Sequence, residues 1–192
     1  MDRPQEIYFG DKNTFAIRYR SDYKTGTNDN TWYYAFLHLQ LNGQLIGDPD
    51  ETCSVNTWLH SIELFLKRIR DNNLVHSEFL NKTDDELFEL IWKANQFEED
   101  FNSKYSYLPQ LDNSVWSKCS FGIDETTDAY LITTTEIENK IKFMWQGWRH
   151  PCPANLIDKL FSLTLDKEVV IKTLMDCIKY VSADLSNYKE QK

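Results

Sequence analysis

His60 and Glu63 stand three residues apart, a spacing that on a helix brings imidazole and carboxylate to one face, where they could exchange a proton as an acid–base pair. No nucleophile or third ligand lies near them in the sequence, so a solvated helix face is the simpler account. The run His150-Pro151-Cys152-Pro153 sets another imidazole two residues from a thiol. Its prolines hold the chain extended, and two ligands fall short of the four that a structural zinc site needs, which makes a rigid turn the expectation. A site assembled at a distance from His38, His60 and His150 is the remaining hydrolytic or transferase alternative. The six glycines, at 10, 26, 43, 47, 122 and 147, fit neither a dinucleotide fingerprint nor a phosphate-binding loop. Serine-elbow, zinc-protease and di-iron spacings are absent as well. The chain is therefore expected to be no enzyme, with no catalytic residue, no metal and no cofactor.

Carboxylates are the more telling set. Asp84, Asp85, Glu86, Glu89, Glu98, Glu99 and Asp100 meet a single lysine, Lys93, across 84–100. Asp124, Glu125, Asp128, Glu136 and Glu138 occupy 120–138 with no Lys or Arg between them. Acids in a first helical turn serve the helix dipole, and a charged helix face is usually only solvated. Clusters of this density also suit the Arg and Lys of a partner, steering its approach and filling the groove where it binds phosphate. From them we take Asp84, Asp85, Glu89, Glu98, Glu99, Asp100, Asp124, Glu125 and Asp128 as partner-facing. Trp148 joins them as an aromatic anchor, since Trp is enriched at binding hot spots. Trp32, Tyr34 and Phe36 on the polar faces of strands share that character, with core packing as the competing role.

The elements that must position these residues read as antiparallel sheet and amphipathic helix. Residues 14–21 alternate, with Phe15, Ile17 and Tyr19 on one face and Arg18 and Arg20 on the other. Residues 32–41 alternate again, Asn42-Gly43 is the preferred dipeptide of a two-residue hairpin turn, and 44–47 returns as a short strand. From Ser54 as N-cap, Val55, Trp58, Leu59, Ile62, Leu66 and Ile69 recur at helical spacing to about residue 70. A capping box at Thr83 and Glu86 opens a second helix over 83–102. Strands are expected near 115–121, 129–135 and 140–148, and a last helix over 166–184, with 185–192 as a loose tail. The fold class is α+β, a mostly antiparallel sheet with about three helices in a single domain over 1–192.

A chain of 192 residues is long enough to bury a substantial core without cross-links. Its four cysteines form no C-x-x-C pair, which fits a reducing compartment. The charged amino terminus lacks the apolar core of a signal peptide, and no stretch approaches the length of a membrane span, so a cytoplasmic protein is expected. With 21 Lys+Arg against 30 Asp+Glu, a net charge of −9, the chain repels nucleic acid and anionic lipid and attracts a cationic protein.

Three ordered stretches carry a family resemblance: FGDKNTFAIRY at 9–19, WYYAFLHLQLNGQLIGD at 32–48, and QGWRHPCP at 146–153 followed by LFSLTLDKEVVIKTL at 160–174. Together they resemble the bacterial immunity protein 42 family, found beside polymorphic and contact-dependent growth inhibition toxins. The resemblance implies a small cytoplasmic protein that binds and neutralises a cognate toxin domain, and it supplies no catalytic residues. Joined to the charge, it points to a basic toxin, a nuclease by that charge, held in a one-to-one complex. An interaction module without inhibitory role is the alternative. The long middle segment, roughly 70–115, is where partner-specific surface is expected.

Overall fold

The computed structural model describes residues 5–22, 33–75, 77–92 and 117–190. They divide into two compact units, one drawn from Met1–Leu66, Ile123–Asp128 and Glu168–Lys192, the other from Lys67–Gly122 and Ala129–Lys167. The chain passes between the units repeatedly, so neither is one contiguous stretch. Mixed strand and helix content with two antiparallel sheets makes the fold α+β.

The first unit holds a five-stranded sheet. Strands β1 (Ile7–Gly10), β2 (Phe15–Ser21), β3 (Tyr34–Leu41) and β4 (Gln44–Ile46) lie in that order, and β5 (Cys53–Ser54) pairs with the start of β3. The expected alternation sets the register: Phe15, Ile17 and Tyr19 oppose Leu41, Leu39 and Leu37, and all six are buried. Asn42 at φ 50° and Gly43 at φ 75° make the hairpin turn, whose two central residues both need positive φ. Helix α1 (Val55–Arg70) buries the predicted stripe plus Phe65, and the Ser54 hydroxyl accepts the Thr57 N–H at 3.5 Å as its N-cap. Its residues from Lys67 belong to the second unit.

A long helix of the first unit, α3 (Lys167–Glu190, the first residue counted with the second unit), lies on the apolar face of this sheet. The Tyr180 ring meets Phe9 at 5.5 Å and Tyr19 at 6.0 Å, and the Tyr19 hydroxyl donates to the Asp184 carboxylate. The helix continues past residue 184 because Leu185 is buried and the Tyr188 ring packs edge-on against Tyr33 at 5.8 Å. Those contacts order part of the stretch read as a tail, through Glu190.

The second unit holds a three-stranded antiparallel sheet of β6 (Tyr130–Ile137), β7 (Lys140–Gly147) and β8 (Leu160–Asp166), with β7 central. Periodicity foresaw β6 and β7. Strand β8 is not among the expected strands, although Phe161, Leu163 and Leu165 alternate with Ser162, Thr164 and Asp166. Where a strand was expected over 115–121, the described residues 117–119 form a helical turn, and Ser120 makes only an isolated bridge to Thr133. Helix α2 (Asp84–Trp92) buries Leu87, Phe88, Leu90 and Ile91, and the Asp84 carboxylate meets Lys142 and Ser162 on one face of the sheet. The remainder of the predicted 83–102 helix lies outside the described residues.

Candidate functional site

Helix α2 presents the first acidic group. Its capping box forms as the sequence dictates: Glu86 Oε2 accepts the Thr83 N–H at 2.7 Å and the Thr83 hydroxyl at 3.0 Å, and the Glu86 N–H donates to that hydroxyl at 3.3 Å. Asp84 is committed inward. Its two carboxylate oxygens accept from Lys142 Nζ and Ser162 Oγ. Partial burial opposes ionisation, but those hydrogen bonds and the ammonium charge outweigh it and hold the carboxyl below the usual range. Asp85 and Glu86 are exposed and Glu89 is half-buried.

A second acidic group sits in the first unit, on the 3-10 turn Glu125–Thr127. The Asp124 carboxylate caps that turn, accepting the Thr126 N–H at 3.1 Å and the Thr126 hydroxyl at 2.5 Å. The turn closes over β3 and β4, because a Cβ on Gly47 would stand 2.7 Å from the Thr126 carbonyl and 3.4 Å from the His38 ring. Burial, and then the Asp124 charge, push the Cys53 thiol far above its ordinary range. Asp128 is exposed at the end of the turn, after Glu125. Trp148 lies in the second unit, 47% exposed, with the Arg149 guanidinium 4.4 Å above its ring. The predicted acids thus fall into separate groups on the two units. Glu98, Glu99, Asp100 and Trp32 lie outside the described residues.

One member of the 120–138 cluster leaves the surface altogether. Glu136 is buried, and both its oxygens accept from Lys167 Nζ, at 2.8 and 2.9 Å, with Asn72 Oδ1 completing the ammonium's partners at 2.8 Å. Lys167 lies 31 residues from Glu136 in sequence, so this counter-ion was invisible to a local charge count.

The polar face of the first sheet carries a group the sequence reading saw only in part. Arg18 Nε donates to Glu6 Oε2 at 2.8 Å and its Nη1 to the Pro49 carbonyl at 3.2 Å. Lys12 sits 3.7 Å over the Tyr8 ring and Arg20 3.8 Å over Phe36. Alternation placed Arg18, Arg20, Tyr34 and Phe36 on this side. The Tyr8–Lys12 pair depends on the β1–β2 turn, where a Cβ on Gly10, at φ 90°, would stand 2.3 Å from the Phe15 carbonyl. Each such cation–aromatic pair contributes about 0.5–1 kcal/mol.

The three candidate histidines differ in their surroundings. His38 is buried, its Nε2 2.7 Å from the Asp48 carbonyl, and burial lowers its pKa below the usual value. His60 and His150 are exposed. Among the described residues no group of three or more His, Cys, Asp or Glu is placed to hold a metal, and no helix is long and apolar enough to cross a membrane.

Comparison with known proteins places this architecture. The solved structure of CdiI from Burkholderia dolosa AUO158 superposes with a TM-score of 0.57 at 15% sequence identity, over 91% of this chain and 99% of that chain. That likeness establishes a shared fold. No curated protein matches in sequence. The family model of immunity protein 42 matches residues 7–180, from β1 to the middle of α3, and so takes in both sheets and every acidic group described above. The chain belongs to the immunity protein 42 family.

Proposed function

We propose that the chain is the immunity protein of a contact-dependent growth inhibition system, acting in the cytoplasm of the producing cell to bind and neutralise a cognate toxin domain. The family match over residues 7–180 carries this reading. The net charge of −9 adds that the toxin is basic, and a basic toxin of this kind is read as a nuclease. Inhibition is steric and electrostatic: one copy covers one toxin domain and keeps substrate away, with no chemistry by this chain. The residues assigned to that contact are Asp85, Glu89 and the exposed Trp148 on the second unit and Asp128 on the first, with Glu98, Glu99 and Asp100 from the middle segment. Asp84 on the second unit and Asp124 on the first each fix the element that bears these residues.

Titration of the purified toxin domain encoded beside this gene tests the reading. Saturation at one equivalent, loss of nuclease activity in step with binding, and an association rate that falls as salt rises are the expected results. A toxin domain that does not bind the folded chain removes the reading. Binding that is indifferent to salt removes its electrostatic part.

A further inference from the structure

Strand β8 ends the second sheet, and β7 lies along one of its edges from Lys140↔Asp166 to Gln146↔Leu160. The polarity of its other edge follows from the turn between β6 and β7. Glu138 and Asn139 both have positive φ, at 51° and 60°, so the turn is the two-residue kind and Ile137↔Lys140 is a hydrogen-bonded pair. Alternation then directs the backbone N–H and C=O of Lys140, Lys142, Met144 and Gln146 toward β6, and those of Ile141, Phe143 and Trp145 toward β8. Separate hydrogen bonds agree: Lys167 N–H to the Asn139 carbonyl at 3.2 Å and Asp158 N–H to the Gly147 carbonyl at 2.9 Å on the β8 side, Glu136 N–H to the Leu74 carbonyl at 2.9 Å beyond β6. In β8, therefore, Phe161, Leu163 and Leu165 bond to β7. Leu160, Ser162, Thr164 and Asp166 turn their backbone groups to the other edge, where no strand pairs with them among the described residues.

Proteins ordinarily blunt such an edge with a lysine, a proline, a bulge or brevity. In β8 the sequence LFSLTLD offers no Lys, Pro or Gly, its register with β7 is unbroken, and it runs for seven residues. The other outer strands differ. In the first sheet β1 has four residues, β4 three and β5 two, while the outer edge of β6 accepts the Phe121 N–H at Ile132 and donates from Glu136. Side chains add to the opening: Leu160, Phe161, Leu163 and Leu165 are only half-buried, and Thr164 and Asp166 are exposed.

We propose that β8 is a docking edge on which an extended segment of the toxin domain adds as a further strand. Main-chain hydrogen bonds to Leu160, Ser162 and Thr164 would hold it, and its apolar residues would cover Phe161, Leu163 and Leu165. The inference rests on the immunity reading. Charge selects the occupant: two copies at −9 each repel, whereas a cationic segment passing Asp166 is attracted.

Thr164→Pro tests it. The substitution removes an outward N–H and sets a ring in the path of an added strand, yet leaves the β7–β8 ladder intact. Circular dichroism and melting are expected to match the wild type, while affinity for the toxin domain encoded beside the gene falls by roughly tenfold or more. Thr164→Val, which keeps the N–H, is expected to bind as wild type. Should the proline variant unfold, amide exchange of the wild type decides: protection of Leu160, Ser162 and Thr164 in the complex supports the proposal, and its absence overturns it. Equal affinity in a folded proline variant also overturns it. So does a wild-type dimer that the proline dissolves, since a second copy is then the occupant. If the wild type itself fails to bind, the immunity reading falls and the proposal with it.

Discussion

Removing Lys167 tests whether the second unit is organised by a buried charge pair. Lys167 and Glu136 side chains retain 11% and 7% of their exposure, and the ammonium's three donors have three acceptors, two on Glu136 and one on Asn72. Lys167→Met keeps the length of the chain but strands the Glu136 carboxylate without its counter-ion. Deleting one partner of a buried pair costs about 3–5 kcal/mol. Lys167 opens helix α3, where a cation opposes the helix dipole, so its removal recovers at most about 1 kcal/mol. The net loss of about 3 kcal/mol is a large share of the 5–15 kcal/mol typical of a domain. With a urea slope of about 2 kcal/mol per molar, it lowers the unfolding midpoint by roughly 1.5 M. Glu136→Leu combined with Lys167→Met removes both charges and is expected within about 1 kcal/mol of wild type. A single variant that loses less than about 1 kcal/mol, or a double variant that loses the sum of the singles, refutes the reasoning.

Three further outcomes follow from the geometry. Gly43→Ala suffers only from its positive φ and is expected to cost about 1–2 kcal/mol. Gly47→Ala adds a clash with the Thr126 carbonyl at 2.7 Å, so it should cost more in urea and shift the amide resonances of 124–127; equal costs would contradict the account. The Asp84 carboxyl is held below its ordinary pKa, so its contribution is present above the unfolded value near about 4 and lost as pH falls through the folded one. Asp84→Asn should then be less stable than wild type at neutral pH and indistinguishable from it under strongly acid conditions, as read from urea midpoints at both; a gap that persists in acid argues against the ion pair. Burial pushes the Cys119 thiol up to about 12 and raises Cys53, Cys152 and Cys177 as well. Ellman's reagent at mildly alkaline pH should therefore register the four thiols only after unfolding, and rapid labelling of the native protein would contradict their placement.

Local rules were enough where one element's own residues decide its form. The Asn42-Gly43 turn, the α1 stripe from Val55 to Ile69, the Thr83–Glu86 box and the alternation of β2, β3 and β7 all depend on neighbours in sequence. Distant partners decided the rest. Lys167 took Glu136 out of the acidic surface, Lys142 and Ser162 drew in Asp84, and Tyr33 extended α3 by receiving Tyr188. Strand β8 was legible in the alternation of Phe161, Leu163 and Leu165 with Ser162, Thr164 and Asp166, and local reading missed it. The family was legible from its ordered motifs, whereas the surface that meets a partner depends on which carboxylates remain outward after folding.

Growth of cells that express the toxin domain encoded beside this gene, with and without this chain, tests the central claim most directly. The account predicts that the chain restores growth and that the restored cells contain it in a complex with the toxin domain. Arrest that persists while the chain accumulates folded in the same cells would contradict it.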